Sequence, residues 1–378
     1  MNGQSGAGAG LPFSFDGDGS PPGDPAAGLT EASQWEAGQR LQGTRESLGG
    51  PTRASREAAK LSTAGTFDAG EFRLVTRLAT GASAEVWLAE AQGVAQADFP
   101  SRVVVKRLLP ALRIDPASVE RFRAEALLGA ALVHENLART FGLFQRGLEL
   151  FLVQELLGGE TIGLLSAAAR KKSERLAAPA SLHAIDRLLS ALTFLHGPAT
   201  PGTSLRLVHG NISPDALVAR YDGSVKLIDL GLSQTLRPDG TVHPPDGALR
   251  GSPAYLSPEQ VKARPLDPRS DLFSASVLLW ELLANRPLFA AETAYETLTR
   301  VRVMPAPPLR SVWHEAPTSL ERILVRALSK EPATRFQTAA DLAQELRVAA
   351  RREGLPVGPA ALAAETARLA PRGPRADG

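Results

Sequence analysis

Residues 207–231, LVHGNISPDALVARYDGSVKLIDLG, constrain this chain more than any other stretch. Their second half, VKLIDLG, is a short apolar run that predicts a strand delivering an acid, Asp229, just ahead of a glycine turn. Their first half, VHGNISPDALV, is a polar loop between apolar runs, the kind of place where a rigid scaffold holds reactive side chains.

Upstream, order is expected from Phe72. FRLVTRLA and AEVWLAEA alternate like strands and join through Thr80-Gly81-Ala82-Ser83; SRVVVKRLL is a third strand with Lys106 near its end. Asp115-Pro116 reads as a helix N-cap followed by proline at the first helical position. Behind it Val119, Phe122, Ala126, Gly129 and Leu132 or Val133 recur at helical spacing, a register that turns Glu125 inward. LARTFGLF and LELFLVQE, turned at Arg146-Gly147, are two further strands. Strands, one helix, then more strands describe a small, mostly antiparallel sheet carrying one docked helix.

After Gly158-Gly159 the pattern becomes helical. SLHAIDRLLSALTFLHG places Leu182, Ile185, Leu189, Leu192 and Leu195 on one face and closes at Gly197. The insert PATPGTS follows, and residues 232–250 read as a long polar surface loop. SDLFSASVLLWELLA is apolar all round and must be buried, and two more helices fall near 317–329 and 337–351. The first 68 residues hold 13 of the 34 glycines, too little apolar surface to offset the entropy of ordering, so a disordered leader is expected there. Residues 351–378, rich in Ala, Arg and Pro, are expected to be a loose tail.

Composition removes several function classes. A net charge of +2, with the arginines dispersed, gives no field for nucleic acid or an acidic membrane. Cysteine is absent, so disulfide frameworks and thiolate zinc sites are excluded. The six histidines show no ligand spacing, no stretch reaches 18 apolar residues, and the N-terminus lacks a signal pattern. A cytoplasmic protein without a membrane span is the expectation.

The stretch VHGNISPDA…IDLG resembles the H-R-D-L-x-x-x-N and D-F-G signatures of protein kinases, and the chain is identified as a degenerate member of the bacterial eukaryotic-like Ser/Thr protein kinase family. The resemblance runs over residues 70–350. It implies an α+β bilobal fold at 69–350, with a small β-rich N-lobe (69–157) and a larger helical C-lobe (158–350), and ATP and Mg²⁺ between them. By that resemblance Gly81 and Val86 belong to the glycine-rich loop, where Ala79 and Ala84 stand at glycine positions. Val104 lies against the adenine, Lys106 grips the α- and β-phosphates and pairs with Glu125, Glu155 belongs to the nucleotide site, and Asp229 binds the metal. His209, Glu259 in GSPAYLSPE, Asp271 and Arg335 would be structural, with Asp271 bracing the catalytic loop and Glu259 paired to Arg335.

Three positions depart from the family pattern. Gly210 replaces the arginine that anchors a phosphorylated activation loop, Asn211 the catalytic aspartate, and Ala216 the asparagine for a second Mg²⁺. An amide cannot take up a proton at neutral pH, and a methyl group cannot hold a metal. Asp215, one residue short, is the nearest surrogate carboxylate. The expectation is a pseudokinase that binds ATP, with one metal rather than two, and acts by docking to an active kinase or another signalling protein. A slow but active Ser/Thr kinase and a nucleotide-free scaffold are the alternatives.

Overall fold

The structure is a computed structural model, and it describes residues 67–68, 71–81, 83–92, 99–197, 206–230, 234–235, 241–242, 249 and 251–370. The expected leader lies outside these residues except at its last two positions; the insert 198–204 and most of 232–250 also lie outside them.

β1 (Phe67–Asp68), β2 (Phe72–Thr80), β3 (Ala84–Ala91), β4 (Arg102–Leu108), β5 (Thr140–Arg146) and β6 (Glu149–Glu155) form one antiparallel sheet in the order β1-β2-β3-β4-β6-β5. Period-two alternation separates its faces. Phe72, Leu74, Ala89, Val103, Val105, Phe151 and Val153 bury together on one face. Ala84, Leu108, Leu150 and Leu152 turn the other way, onto Phe122 and Ala126 of α1 (Pro116–Ala131). Lys106 has the parity of Leu108 and sits directly across from Leu152, so β4 presents it to α1. The strand pattern breaks within β2, where register shifts between Leu74 and Thr76 and between Arg77 and Ala79 interrupt the alternation.

α1 starts where the sequence places it. The Asp115 carboxylate accepts from the N–H groups of Ala117 and Ser118 (3.3 and 3.1 Å), and Pro116 opens the first turn. Ser118, Phe122, Ala126 and Gly129 bury one stripe. Gly129 lets the helix approach β5, since a Cβ there would lie 2.5 Å from Thr140 Oγ1.

The second lobe contains β7 (Gly159–Thr161), α2 (Ile162–Lys171), α3 (Ala178–His196), β8 (Leu207–Val208), β9 (Leu217–Arg220), β10 (Val225–Leu227) and β11 (Gln234–Thr235). It continues through α4 (Pro258–Val261), α5 (Pro268–Ala284), α6 (Ala294–Val303), α7 (Thr318–Ala327), α8 (Ala339–Arg352) and α9 (Pro359–Leu369). α5 is the buried axis: Asp267 caps its start, Asn285 closes it in the left-handed region at φ 54, and every residue from Ser270 to Leu283 is buried. β11 pairs with β8 inside the stretch expected to be all loop, and the buried Val242 bridges to Leu266. The lobes are stitched behind the cleft. Leu227 N donates to Asn136 O (2.8 Å) and Ala138 N to Leu227 O (2.9 Å), tying β10 to the loop between α1 and β5.

The tail corrects the sequence reading. α8 runs to Arg352, and α9 folds back onto α3 with Leu362, Thr366 and Leu369 buried. Those three residues follow an i, i+4, i+7 pattern that the Ala/Arg/Pro composition hides. Pro359 opens α9 so close to the β9–β10 turn that a Cβ on Gly223 (φ +80) would lie 2.0 Å from its carbonyl oxygen.

Candidate nucleotide and phosphoryl-transfer site

β4, α1 and the residues after β10 bring Lys106, Glu125 and Asp229 to one point. Lys106 Nζ lies 2.9 Å from Glu125 Oε1 and 3.2 Å from Asp229 Oδ1. Burial disfavours the ammonium, but the carboxylates of Asp229 and Glu125 outweigh it and push the Lys106 pKa up, so the cation is permanent. The lysine and glutamate are largely enclosed, whereas the Asp229 side chain is 47% exposed and open to a ligand. Asp229 has left-handed backbone (φ 68), tolerated by aspartate better than by most residues. Leu230, the residue after it, is buried in the second lobe's core.

The glycine-rich segment is a hairpin closed by Gly81 N donating to Ala84 O (2.8 Å). A Cβ on Gly81 would meet only that oxygen, at 3.5 Å, so the fold by itself does not demand a glycine there. Val86 pairs with Lys106 in register, and Val104 pairs with Leu88 and Gln154. Glu155 is placed differently from the others. Its Oε1 accepts from Lys226 Nζ (2.8 Å) and from Arg139 N (2.7 Å), so its carboxylate bridges the lobes.

The loop around Asn211 is rigidly held. Asp271, 1% exposed, accepts from His209 N and Gly210 N and from His196 Nε2, each at 2.8 Å. Burial pushes the Asp271 pKa up, but the His196 and His209 imidazoles and the Gly210 N–H outweigh it and hold the carboxyl below its ordinary value. His209 is fully buried; burial lowers its pKa, and its Nδ1 accepts from Asn211 N (3.3 Å). Gln260 Nε2 donates to Gly210 O (2.9 Å), so both polar groups of the Gly210 main chain are engaged. Gly251, at φ +96, passes close to Asn211: a Cβ there would lie 2.6 Å from Asn211 Oδ1.

Ala216, which the family resemblance assigns to a second metal ligand, has no side-chain donor to offer. Its carbonyl accepts from Ile228 N (2.8 Å), and its methyl group is buried in the core. Asp215 turns towards α2, where a Cβ on Gly163 would lie 2.1 Å from its Oδ1 and Thr161 Oγ1 is 3.4 Å away. Among the described residues no group of three or more His, Cys, Asp or Glu side chains could hold a metal.

Glu259 and Arg335 form a buried bidentate pair (2.7 and 2.9 Å), and Ser270 Oγ donates to Glu259 Oε1 (2.7 Å). The other Arg335 N–H groups reach Ser329 O, Arg269 O and Lys330 O, which leaves the guanidinium fully satisfied. His196 and Gln260 are the supports that sequence reasoning misses. His196 reads only as the last residue before a helix-ending glycine, and Gln260 has no reading of its own in the sequence; the structure places it in the capping box of α4.

A sheet lobe and a helical lobe, with a lysine–glutamate–aspartate cluster between them, define the protein kinase architecture. The chain belongs to that family: residues 73–346 match the protein kinase domain. It is similar to Tyrosine-protein kinase MasK of Myxococcus xanthus (strain DK1622), 33% identical over 280 residues, covering 73% of this chain and 42% of MasK. It is also similar to Serine/threonine-protein kinase Pkn1 of Myxococcus xanthus (31% over 287 residues, 74% and 38%). Serine/threonine-protein kinase PknA of Mycobacterium tuberculosis (strain ATCC 25618 / H37Rv) matches at 29% over 290 residues (75% and 62%). The matched region is thus less than two thirds of each relative's length. Among the described residues no helix is long and apolar enough to cross a membrane.

Proposed function

We propose that this chain is a kinase-fold signalling protein that binds ATP with one Mg²⁺ ion, transfers phosphate poorly or not at all, and acts through a protein partner. The observation that carries this is the contrast within one site. Lys106, Glu125 and Asp229 are assembled at 2.9 and 3.2 Å, while Asn211 and Ala216 stand at the positions that the family resemblance assigns to the base and the second metal ligand.

The donor set fits a single ion. Mg²⁺ typically takes one or two carboxylates and fills its remaining positions with phosphate and water, and Asp229 is the accessible carboxylate here. Bound Mg–ATP supplies the transferable phosphoryl group. Lys106 holds a fixed positive charge against the phosphates, and Glu125 orients that ammonium. Asn211 can hydrogen-bond an acceptor hydroxyl but cannot accept its proton. Loss of a positioned base typically costs about 10²–10⁴ in rate, or roughly 3–5.5 kcal/mol of barrier.

The braced loop favours a slow kinase as the second reading. A buried carboxylate receiving three N–H groups holds Asn211 in a defined place, and phosphoryl transfer relies heavily on positioning. Transfer from labelled ATP separates the two. The wild type is run beside Lys106→Ala, Asn211→Asp and Asn211→Asp/Ala216→Asn. Silence in the wild type with activity in either revertant supports the impaired reading. Transfer by the wild type that Lys106→Ala abolishes overturns it in favour of the slow kinase.

A further inference from the structure

α3, α8, the β9–β10 turn and the segment leading into α9 line an open pocket of about 610 Å³, and none of the site residues above lines it. That volume lies within the range of small-molecule sites, roughly 300–1,000 Å³. Its walls include apolar side chains from Leu182, Leu346, Ala350, Leu355 and Val357. Three arginines, Arg187, Arg347 and Arg351, also line it.

Their charge is only partly matched. Asp186 accepts from Arg187 Nη2 (2.5 Å) and Arg347 Nε (2.7 Å), and Glu135 lies 3.4 Å from Arg187 Nη1. Arg351, exposed at the rim, has no side-chain partner among the described residues. His183 adds no charge at neutral pH, since burial lowers its pKa and its Nε2 donates to Gly223 O (3.1 Å).

A second observation is independent of charge. Asn136 lines the same pocket and is 4% exposed. Its Nδ2 donates to Val225 O (3.0 Å), but its Oδ1 has no hydrogen-bond partner among the described residues. Leaving a buried acceptor unpaired costs about 1–3 kcal/mol, so a donor is wanted at that point.

We propose that this pocket binds a small organic anion: an apolar body with a carboxylate or phosphate for Arg351 and an N–H or O–H for Asn136. The site stands apart from the nucleotide cleft, yet it is connected to it. Glu135 and Asn136 lie on the loop that follows α1, the helix of Glu125, and Asn136 O accepts from Leu227, two residues before Asp229. An occupant would therefore stiffen the link between both acidic partners of Lys106.

Two matched probes test the site, 4-aminobenzoate and 4-aminophenyl phosphate, with aniline as the uncharged control. Each is titrated into the full chain by ligand-observed NMR. The expected result is saturable binding of at least one anion and none of aniline. Affinity should fall about tenfold or more in Arg351→Glu, the fold-change expected for losing one charge-assisted contact. It should survive in Arg351→Lys. The preferred probe identifies the carboxylate or phosphate source. Equal binding by Arg351→Glu, or no saturable binding of either anion, overturns the proposal and leaves Asn136 Oδ1 a hydration site only.

Discussion

Replacing Asp271 with asparagine tests how the Asn211 loop is held. The carboxylate receives three N–H groups at 2.8 Å, one on Oδ1 and two on Oδ2, in a fully enclosed position. The Asp271→Asn side chain would keep the shape but offer one acceptor oxygen and one NH₂ group, so at least one buried N–H is left facing another donor. An orphaned buried donor costs about 1–3 kcal/mol, and the surviving contacts weaken by about 1 kcal/mol each once the charge is gone. The expected loss is about 3–5 kcal/mol in urea unfolding, seen as a lower midpoint at unchanged slope. The pH dependence has a definite sign. A folded pKa held below the ordinary 3.8 stabilises the protein above that value, and this is lost as pH falls through the folded pKa. Asp271→Asn should therefore lose less stability than the wild type on acidification below about pH 4. A cost under about 1 kcal/mol, or an unchanged acid limb, would refute the bracing argument.

Three further outcomes are expected. Arg335→Met strips the partner from a buried carboxylate and should cost about 3–5 kcal/mol, whereas Arg335→Met/Glu259→Leu should recover part of it; thermal unfolding of the single and double variants checks this. Mg–ATP at 100 times its Kd should raise wild-type stability by about 2.7 kcal/mol, and Asp229→Ala should lose the Mg²⁺-dependent part of that gain in a thermal-shift titration. Leu362→Ala should destabilise the chain by about 2–5 kcal/mol in urea titration, a loss that a loose tail would not show.

The sequence makes Lys106 and Glu125 legible because both depend on local periodicity. Strand alternation sets the face of Lys106, and a capped helix with buried residues at i+4 spacing sets the face of Glu125. The Glu259–Arg335 pair joins residues 76 positions apart and is reachable only through family resemblance. Three features stay hidden. The Glu155 carboxylate is claimed by Lys226, a lysine on another lobe whose approach depends on how the lobes meet. His196 becomes a support for the catalytic loop only because α3 ends beside Asp271. α9 escapes notice because alanine, with one glutamate and one arginine, fills the positions between its three buried residues, so composition suggests looseness where spacing specifies packing.

The burial of Ala216 sets a cost on placing any polar side chain at that position. A methyl group is content in the core beside Leu217 and Leu227, whereas an asparagine restored there brings an amide whose desolvation costs about 1–3 kcal/mol until a ligand satisfies it. Under the proposed single-metal reading, a polar metal ligand at position 216 would carry a packing cost that only a bound ligand offsets, so the Ala216→Asn change in the double variant should lower stability even where it raises activity.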